Sequence, residues 1–158
     1  MKKIWAPWRS VFIYDRKSKG CIFCKAAKSK ADKKHFVLER SEFCFSILNI
    51  YPYNNGHIMI APYRHKGSLS DFNKKELADL MFLAQKTTAL LKRMLKPDGF
   101  NMGFNIGKLS GAGFPGHIHM HIVPRWLGDT NFMPVLTQTK VISESLNSLY
   151  RRLKSAKY

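Results

Sequence analysis

Acidic residues are few in this chain. Its 158 residues hold ten aspartates and glutamates against 27 lysines and arginines, a formal net charge of +17. No Asp or Glu occurs between Asp98 and Asp129. That gap removes the carboxylate partners of a metal hydrolase and makes the neighbourhood favourable for an anion. Cysteine is scarcer still: three are present, two of them as Cys21-Ile22-Phe23-Cys24. Three are too few for a disulfide framework, and the pair is spaced as metal ligands in a reducing cytoplasm, the expected location. No apolar run approaches the roughly 18 residues needed to span a bilayer, so no membrane partner is expected. Met1 to Arg9 lacks the apolar stretch of a secretory signal. Repeats and low-complexity linkers are missing as well.

What remains is 45% hydrophobic and 13% aromatic, which excludes disorder and predicts one globular domain over residues 1–158. Eleven of the 27 basic residues lie in the first 34 positions, and Arg151, Arg152, Lys154 and Lys157 decorate the tail. Such a surface favours polyanions, either nucleic acid or small phosphates, but a plain lysine-rich solvated surface reads the same way. Charge alone decides nothing here.

The first 20 residues mix Trp5, Pro7, Trp8, Phe12 and Tyr14 with basic residues and have no clear period. They read as an arm packing on the body or on a second subunit. Lys25 to Lys34 reads as a polar connector. His35 to Ile50 is rich in strand formers around a polar Glu39-Arg40-Ser41-Glu42 hairpin turn. Tyr51 to Gly56 is a turn cluster, and His57 to His65 is a strand with a proline-led exit. Ser70 or Asp71 can cap a helix of about 25 residues, whose Leu77, Leu80, Ala84, Leu91 and Leu95 follow helical spacing until "KPDG" stops it. Phe100 to Gly107 is a strand, Lys108 to Gly116 a small-residue loop, His117 to Pro124 a final strand, and Ile142 to Lys154 a terminal helix. Strands joined by short turns, with helices segregated, predict an α+β domain on an antiparallel sheet.

Half of the six histidines fall in five residues, as His117, His119 and His121. Alternation along a strand puts them on one face, with Ile118, Met120 and Ile122 on the other. The apolar row wants a core, so the histidine row is expected to face a cleft or solvent. About 13 Å of flat strand separates positions 117 and 121, so the three cannot ligate one ion. Three readings compete: exposed histidines, a His-x-His metal site, or an imidazole nucleophile at phosphorus with neighbours managing charge. The loop before them, with Gly107, Gly111, Gly113 and Gly116, lets backbone N–H groups approach a ligand and favours the third. Of the others, His57 reads as packed and hydrogen-bonded, His35 as a surface residue, and Cys44 as a small core residue.

"HIHMHIV" resembles the His-φ-His-φ-His-φ-φ signature (φ hydrophobic) of the histidine triad superfamily of nucleotide hydrolases and transferases. "WAPWR", "CIFC", "YPYNNGHIMIAPYRH", "DGFNMGFNIG", "GAG" and "VPRWLGDTNFMPV" extend the likeness from Trp5 to about Val141. They resemble a bacterial branch that includes diadenosine tetraphosphate phosphorylases. The resemblance implies a five-stranded antiparallel sheet with two main helices, commonly a homodimer, acting on a nucleotide or dinucleoside polyphosphate. It implies that His119 attacks the α-phosphorus and that His121 hydrogen-bonds a phosphate or leaving-group oxygen. Water or inorganic phosphate then releases the nucleotide, with Arg125 or Lys108 available to screen a second anion.

By the same resemblance, Cys21, Cys24, His65 and His117 are the ligands of a structural zinc. Asn49 stands where many relatives have a ribose-binding Asp, and Ile50 lines the base pocket. Asn105 faces the phosphates. The Gln-Ser pair usual before the triad is missing, so its phosphate contacts pass to backbone N–H groups of Ser110, Gly111, Ala112 and Gly113. A dinucleotide hydrolase or a nucleoside phosphoramidase would use the same nucleophile. Outside enzymes, the basic charge and Cys-x-x-Cys would suit a zinc-containing nucleic-acid-binding module.

Overall fold

A computed structural model describes residues 20–110, 114–130 and 141–156. The aromatic arm, Gly111 to Gly113 and most of "GDTNFMPV" lie outside them. The described chain forms α1 (Ile22–Lys28), α2 (Asp32–His35), β1 (Val37–Arg40), β2 (Cys44–Leu48), β3 (Ile58–Pro62), α3 (Lys74–Leu95), β4 (Gly99–Phe104), β5 (Met120–Arg125) and α4 (Leu146–Ser155). Short 3-10 turns at Leu69–Asp71 and Lys108–Ser110 complete it. The five strands make one antiparallel sheet in the order β1-β2-β3-β5-β4, so the expected architecture is present. Among the described residues no helix is long and apolar enough to cross a membrane.

Three local expectations change. The connector after Cys24 is helical, because Phe23 and Ala26 are buried on one side of α1 and its lysines stay outside. The long helix starts at Lys74, not at Ser70 or Asp71. Asn73 accepts from the Glu76 N–H while Glu76 reaches back to Asn73, a reciprocal cap. Ser68 and Asp71 make the same exchange one turn earlier, around the 3-10 segment. The hairpin turn is also shorter than "ERSE", since Glu39 and Arg40 still pair with β2.

The sheet is covered on both faces, which is what positions the histidines. Leu38, Cys44, Leu48, Ile58, Ile60, Ile118, Met120 and Ile122 face α3 and α4. Val37, Phe45, Ile47, Met59 and Ala61 face the other way, under Phe23 and Ala26 of α1. β2 and β3 are therefore buried along their whole length, as strands sandwiched between layers are. Gly56 ends the "YPYNNG" turn at a φ of +75°, where a Cβ would lie 2.5 Å from a Leu95 methyl. Only glycine lets that turn sit on the end of α3.

Beyond β3 the chain is held by a buried ion pair. Lys66 and Glu76 are 4% and 3% exposed, with Nζ 2.5 Å from Oε2. Lys66 also donates to the Asp71 carbonyl and lies over the Phe72 ring. Its own carbonyl accepts from the Ile118 N–H at 2.6 Å. One lysine thus ties the exit of β3, the start of α3 and the histidine segment together.

Candidate active site and metal cluster

The three clustered histidines lie on one side of the sheet, but the strand expected from His117 begins at Met120, so only His121 falls within β5, and that side is not open. His117, His119 and His121 are 0%, 5% and 8% exposed, because α1 and the Tyr53 ring cover them. Each imidazole is oriented by a different partner, and those partners fix which nitrogen carries the proton.

His117 directs Nε2 at the Pro62 carbonyl, 3.0 Å away. A carbonyl only accepts, so the proton is on Nε2 and the Nδ1 lone pair faces away. There it meets Cys21 Sγ at 3.3 Å, Cys24 Sγ at 3.6 Å and His65 Nδ1 at 3.2 Å. Cys24 Sγ and His65 Nδ1 are themselves 3.3 Å apart. All four donor atoms lie within 4.8 Å of one another, and burial lowers His117 to about 4, keeping its imidazole neutral. Two sulfurs and two nitrogens at such separations suit a tetrahedral ion, with the Pro62 carbonyl orienting one ligand from behind. These are the four residues expected as a ligand set.

His119 uses its other nitrogen. Nδ1 lies 2.9 Å from the His117 carbonyl, so Nδ1 holds the proton and Nε2 keeps the lone pair. Burial lowers its pKa, which favours the neutral, nucleophilic form.

His121 is set by a relay that begins in the backbone. The Tyr53 N–H points at His57 Nδ1 from 3.1 Å, and the Asn49 carboxamide nitrogen lies 3.3 Å from the same atom. His57 must accept on Nδ1 and donate from Nε2, which reaches His121 Nδ1 at 2.9 Å. Neutral His121 then carries its proton on Nε2; the Asn105 carboxamide nitrogen lies 3.4 Å from that atom, and the amide accepts this proton only with its oxygen turned toward His121. Burial, with the charge of His119, lowers His121 to about 4. His57 was expected to be packed and hydrogen-bonded, and it is; its place directly behind His121 was not visible in the sequence.

The relay has a consequence for acid stability. Burial, then His121 and His119, push His57 down to about 3. Unfolded, the same imidazole titrates near pH 6.5, so the unfolded chain binds the extra proton. The stability carried by neutral His57 is therefore present above about pH 6.5 and lost as pH falls toward about 3. Between pH 6.5 and 4.5, urea unfolding of His57→Gln is expected to depend on pH more shallowly than the parent. The difference is about one proton, or about 1.4 kcal/mol per pH unit. Equal slopes in the two proteins would place the acid sensitivity elsewhere.

Of the remaining expected residues, Asn49 follows β2 directly with its Oδ1 accepting from Tyr51 N–H, and Ile50 beside it is 37% exposed. Asn105 sits at the end of β4 against His121. Ser110 is turned back onto the Gly107 carbonyl, and Gly111, Ala112 and Gly113 fall outside the described residues. Arg125 is not available to screen a second anion, because it forks onto Asp129 at 2.6 and 3.1 Å. Cys44 is wholly buried in the core, and His35 is half-buried at the end of α2.

The HIT domain family model matches residues 30–126, more than half of the chain. The chain belongs to the HIT domain family. Among HIT proteins it is 34% identical to the "AP-4-A phosphorylase" of Mycobacterium tuberculosis, covering 97% of this chain and 83% of that one. It is 32% identical to the adenosine 5'-monophosphoramidase of Saccharomyces cerevisiae, over 66% of this chain and 62% of that one. A solved Zn-bound histidine triad family protein from Mycobacterium smegmatis superposes with a TM-score of 0.69 at 26% identity, covering 86% of this chain and 91% of the other.

Proposed function

We propose that this HIT protein is an enzyme that cleaves dinucleoside polyphosphates by nucleotidyl transfer, with phosphorolysis of diadenosine tetraphosphate to ADP and ATP as its favoured reaction. The observation that carries the reading is the division of protons within the triad. Only His119 keeps a lone pair on Nε2, while His121 beside it offers a proton on the same atom.

In the proposed reaction His119 Nε2 attacks an α-phosphorus, forming a P–N bond as the bond to the bridging oxygen breaks. ATP departs, its leaving oxygen accepting a hydrogen bond from His121 Nε2. Inorganic phosphate then attacks the adenylyl-histidine, a P–O bond replaces P–N, and ADP leaves with His119 restored. Dividing one displacement into two spares the site from aligning two polyanions and a weak nucleophile at once. Asn49 and Ile50 would hold the nucleoside, with adenine preferred. Asn105 and the backbone of Ser110, Gly111, Ala112 and Gly113 would hold the phosphates in a stretch with no carboxylate.

Zinc is the ion proposed for Cys21, Cys24, His65 and His117. Four protein ligands close the coordination sphere, so the ion supplies structure and no open position for water. The reduced thiols it needs point to the cytoplasm. A homodimer is proposed through β4, an edge strand on which Met102 is exposed, with Ile106 exposed just beyond its end. The whole chain, 1–158, is read as one HIT domain with an N-terminal arm and a C-terminal helix and tail.

The acceptor decides between phosphorylase and hydrolase. With diadenosine tetraphosphate and millimolar phosphate, chromatography is expected to give ADP and ATP, at a rate that rises with phosphate. AMP with ATP, or two ADP, regardless of phosphate would make this chain a hydrolase with the same nucleophile. A phosphoramidase would instead prefer an adenosine phosphoramidate in the same assay. A pure nucleic-acid-binding module would turn over none of them.

A further inference from the structure

One of the two residues between the zinc-spaced thiols, Phe23, has no place in the reaction above, yet its ring lies on the proposed nucleophile. Phe23 is 1% exposed. Its centroid is 4.6 Å from that of His119 at 34°, 5.1 Å from His117 at 41°, and 6.1 Å from Phe114 edge-on. Among the described residues His119 has little else to hold it. Its Nδ1 bonds to the His117 carbonyl two residues back in the segment before β5, and His121 meets it edge-on at 4.8 Å. Among the described residues that is its one hydrogen bond, about which the ring can tilt, and the Phe23 face opposes the tilt.

The segment that carries Phe23 is poorly self-supporting. α1 has seven residues, no side-chain cap at Cys21 and no acid in its first turn. A helix that short is marginal without tertiary anchors. Its C-terminal end is tied by Arg40, which donates to the carbonyls of Ala26, Ala27 and Ser29. Its N-terminal turn is tied by Cys21 and Cys24 meeting His65 and His117. Phe23 sits in that turn, between the two thiols.

We infer that Phe23 is a positioning residue, which transmits ligation at Cys21 and Cys24 to the ring orientation of His119. With the metal bound, the first turn of α1 is fixed and the Phe23 face clamps the imidazole with Nε2 aimed at phosphorus. With the metal gone, the turn loosens and the imidazole loses its backing. A closed structural ion then affects the rate while touching no reacting atom. The inference rests on His119 being the nucleophile and on the cluster holding zinc.

The test compares the parent with Phe23→Leu, which keeps the apolar volume and loses the planar face, and with Phe23→Ala. Three readouts are taken on each: zinc per chain, kcat and KM for diadenosine tetraphosphate, and the His119 ring resonances in protein labelled at histidine Cε1. Phe23→Leu is expected to keep one zinc per chain and to hold KM within about twofold, while kcat falls by about tenfold, a misalignment effect. Its His119 ring proton moves downfield as the Phe23 ring current is lost. Chelating the parent is expected to move the same resonance and cost a similar factor in kcat. Chelating Phe23→Leu costs less than about threefold more, because the coupling is already broken.

Phe23→Leu with full zinc and kcat within about threefold of the parent would overturn the inference. So would a His119 resonance that ignores chelation in the parent. Loss of zinc from Phe23→Leu would also overturn it, since Phe23 would then be serving the cluster and not the imidazole. The underlying reading fails separately, through retained turnover in a His119 variant or through metal-free parent protein. Should Phe23→Ala fold poorly, the Leu variant and chelation of the parent still decide.

Discussion

His119→Asn is expected to lose turnover by roughly several hundredfold or more, while nucleotide still binds. The size of the loss follows from the proton arrangement. If the triad were three interchangeable imidazoles, a neighbour could attack in place of the missing one. Here neither neighbour has a lone pair to offer. His117 spends Nε2 on the Pro62 carbonyl and turns Nδ1 into the cysteine cluster. His121 spends Nδ1 on His57 and presents a proton on Nε2. Asn is preferred to Ala for this test, because His119 is 5% exposed and stacked on Phe23, and truncation to Ala would leave a cavity. Acid and base quenching of a labelled substrate gives the second half of the result. The parent should trap an acid-labile, base-stable adduct, the signature of a phosphorus–nitrogen bond, and the variant none. Turnover within tenfold of the parent, or an adduct that survives in His119→Asn, would move the nucleophile to another residue.

Much of this arrangement could be read from residue order, and what could not has a physical explanation. The five strands were legible because turn chemistry separates them: the polar Glu39 to Glu42, "YPYNNG" and the small-residue loop Lys108 to Gly116 lie between apolar runs, and "KPDG" ends the helix before β4. The Cys21, Cys24, His65 and His117 set was legible only through family likeness, since His65 and His117 are 52 positions apart and nothing local announces that they meet. The start of α3 was placed at Ser70 or Asp71 because both are good caps, whereas Asn73 starts it through its reciprocal bond with Glu76. α1 and α2 were missed because helices of seven and four residues are too short to show a period.

The largest error concerned the histidine face. An alternating strand in an antiparallel sheet normally leaves one side to water, and here α1 covers the second side. The relay behind His121 was hidden for a related reason. His57 directly precedes β3 and His121 lies in β5, and only the pairing of those strands brings His57 Nε2 within 2.9 Å of His121 Nδ1.

Cys24→Ser is expected to lose the zinc and to lower the melting temperature by on the order of 10 °C. The estimate follows from linkage. An ion held at about a thousand times its dissociation constant stabilises the fold by about 4 kcal/mol. A chain of this size shifts by about 2–4 °C for each kcal/mol. The site lends itself to this coupling, because it joins parts of the chain that are remote in sequence. Cys21 and Cys24 open α1, His65 follows β3, and His117 precedes β5. Losing one thiolate releases all three from one another. Cys44→Ala is the matched control, a wholly buried cysteine packed in the opposite core, and it should destabilise through packing with its zinc intact. Turnover of Cys24→Ser, measured well below its melting transition, should stay within about tenfold of the parent, as a closed ligand set offers no catalytic vacancy. That leaves it far above His119→Asn, and the gap between the two variants separates a structural ion from a reacting one. Elemental analysis showing no metal in freshly purified parent, together with melting unchanged by chelator, would remove zinc from this protein. A Cys24→Ser variant that melts normally but is as dead as His119→Asn would make the ion catalytic.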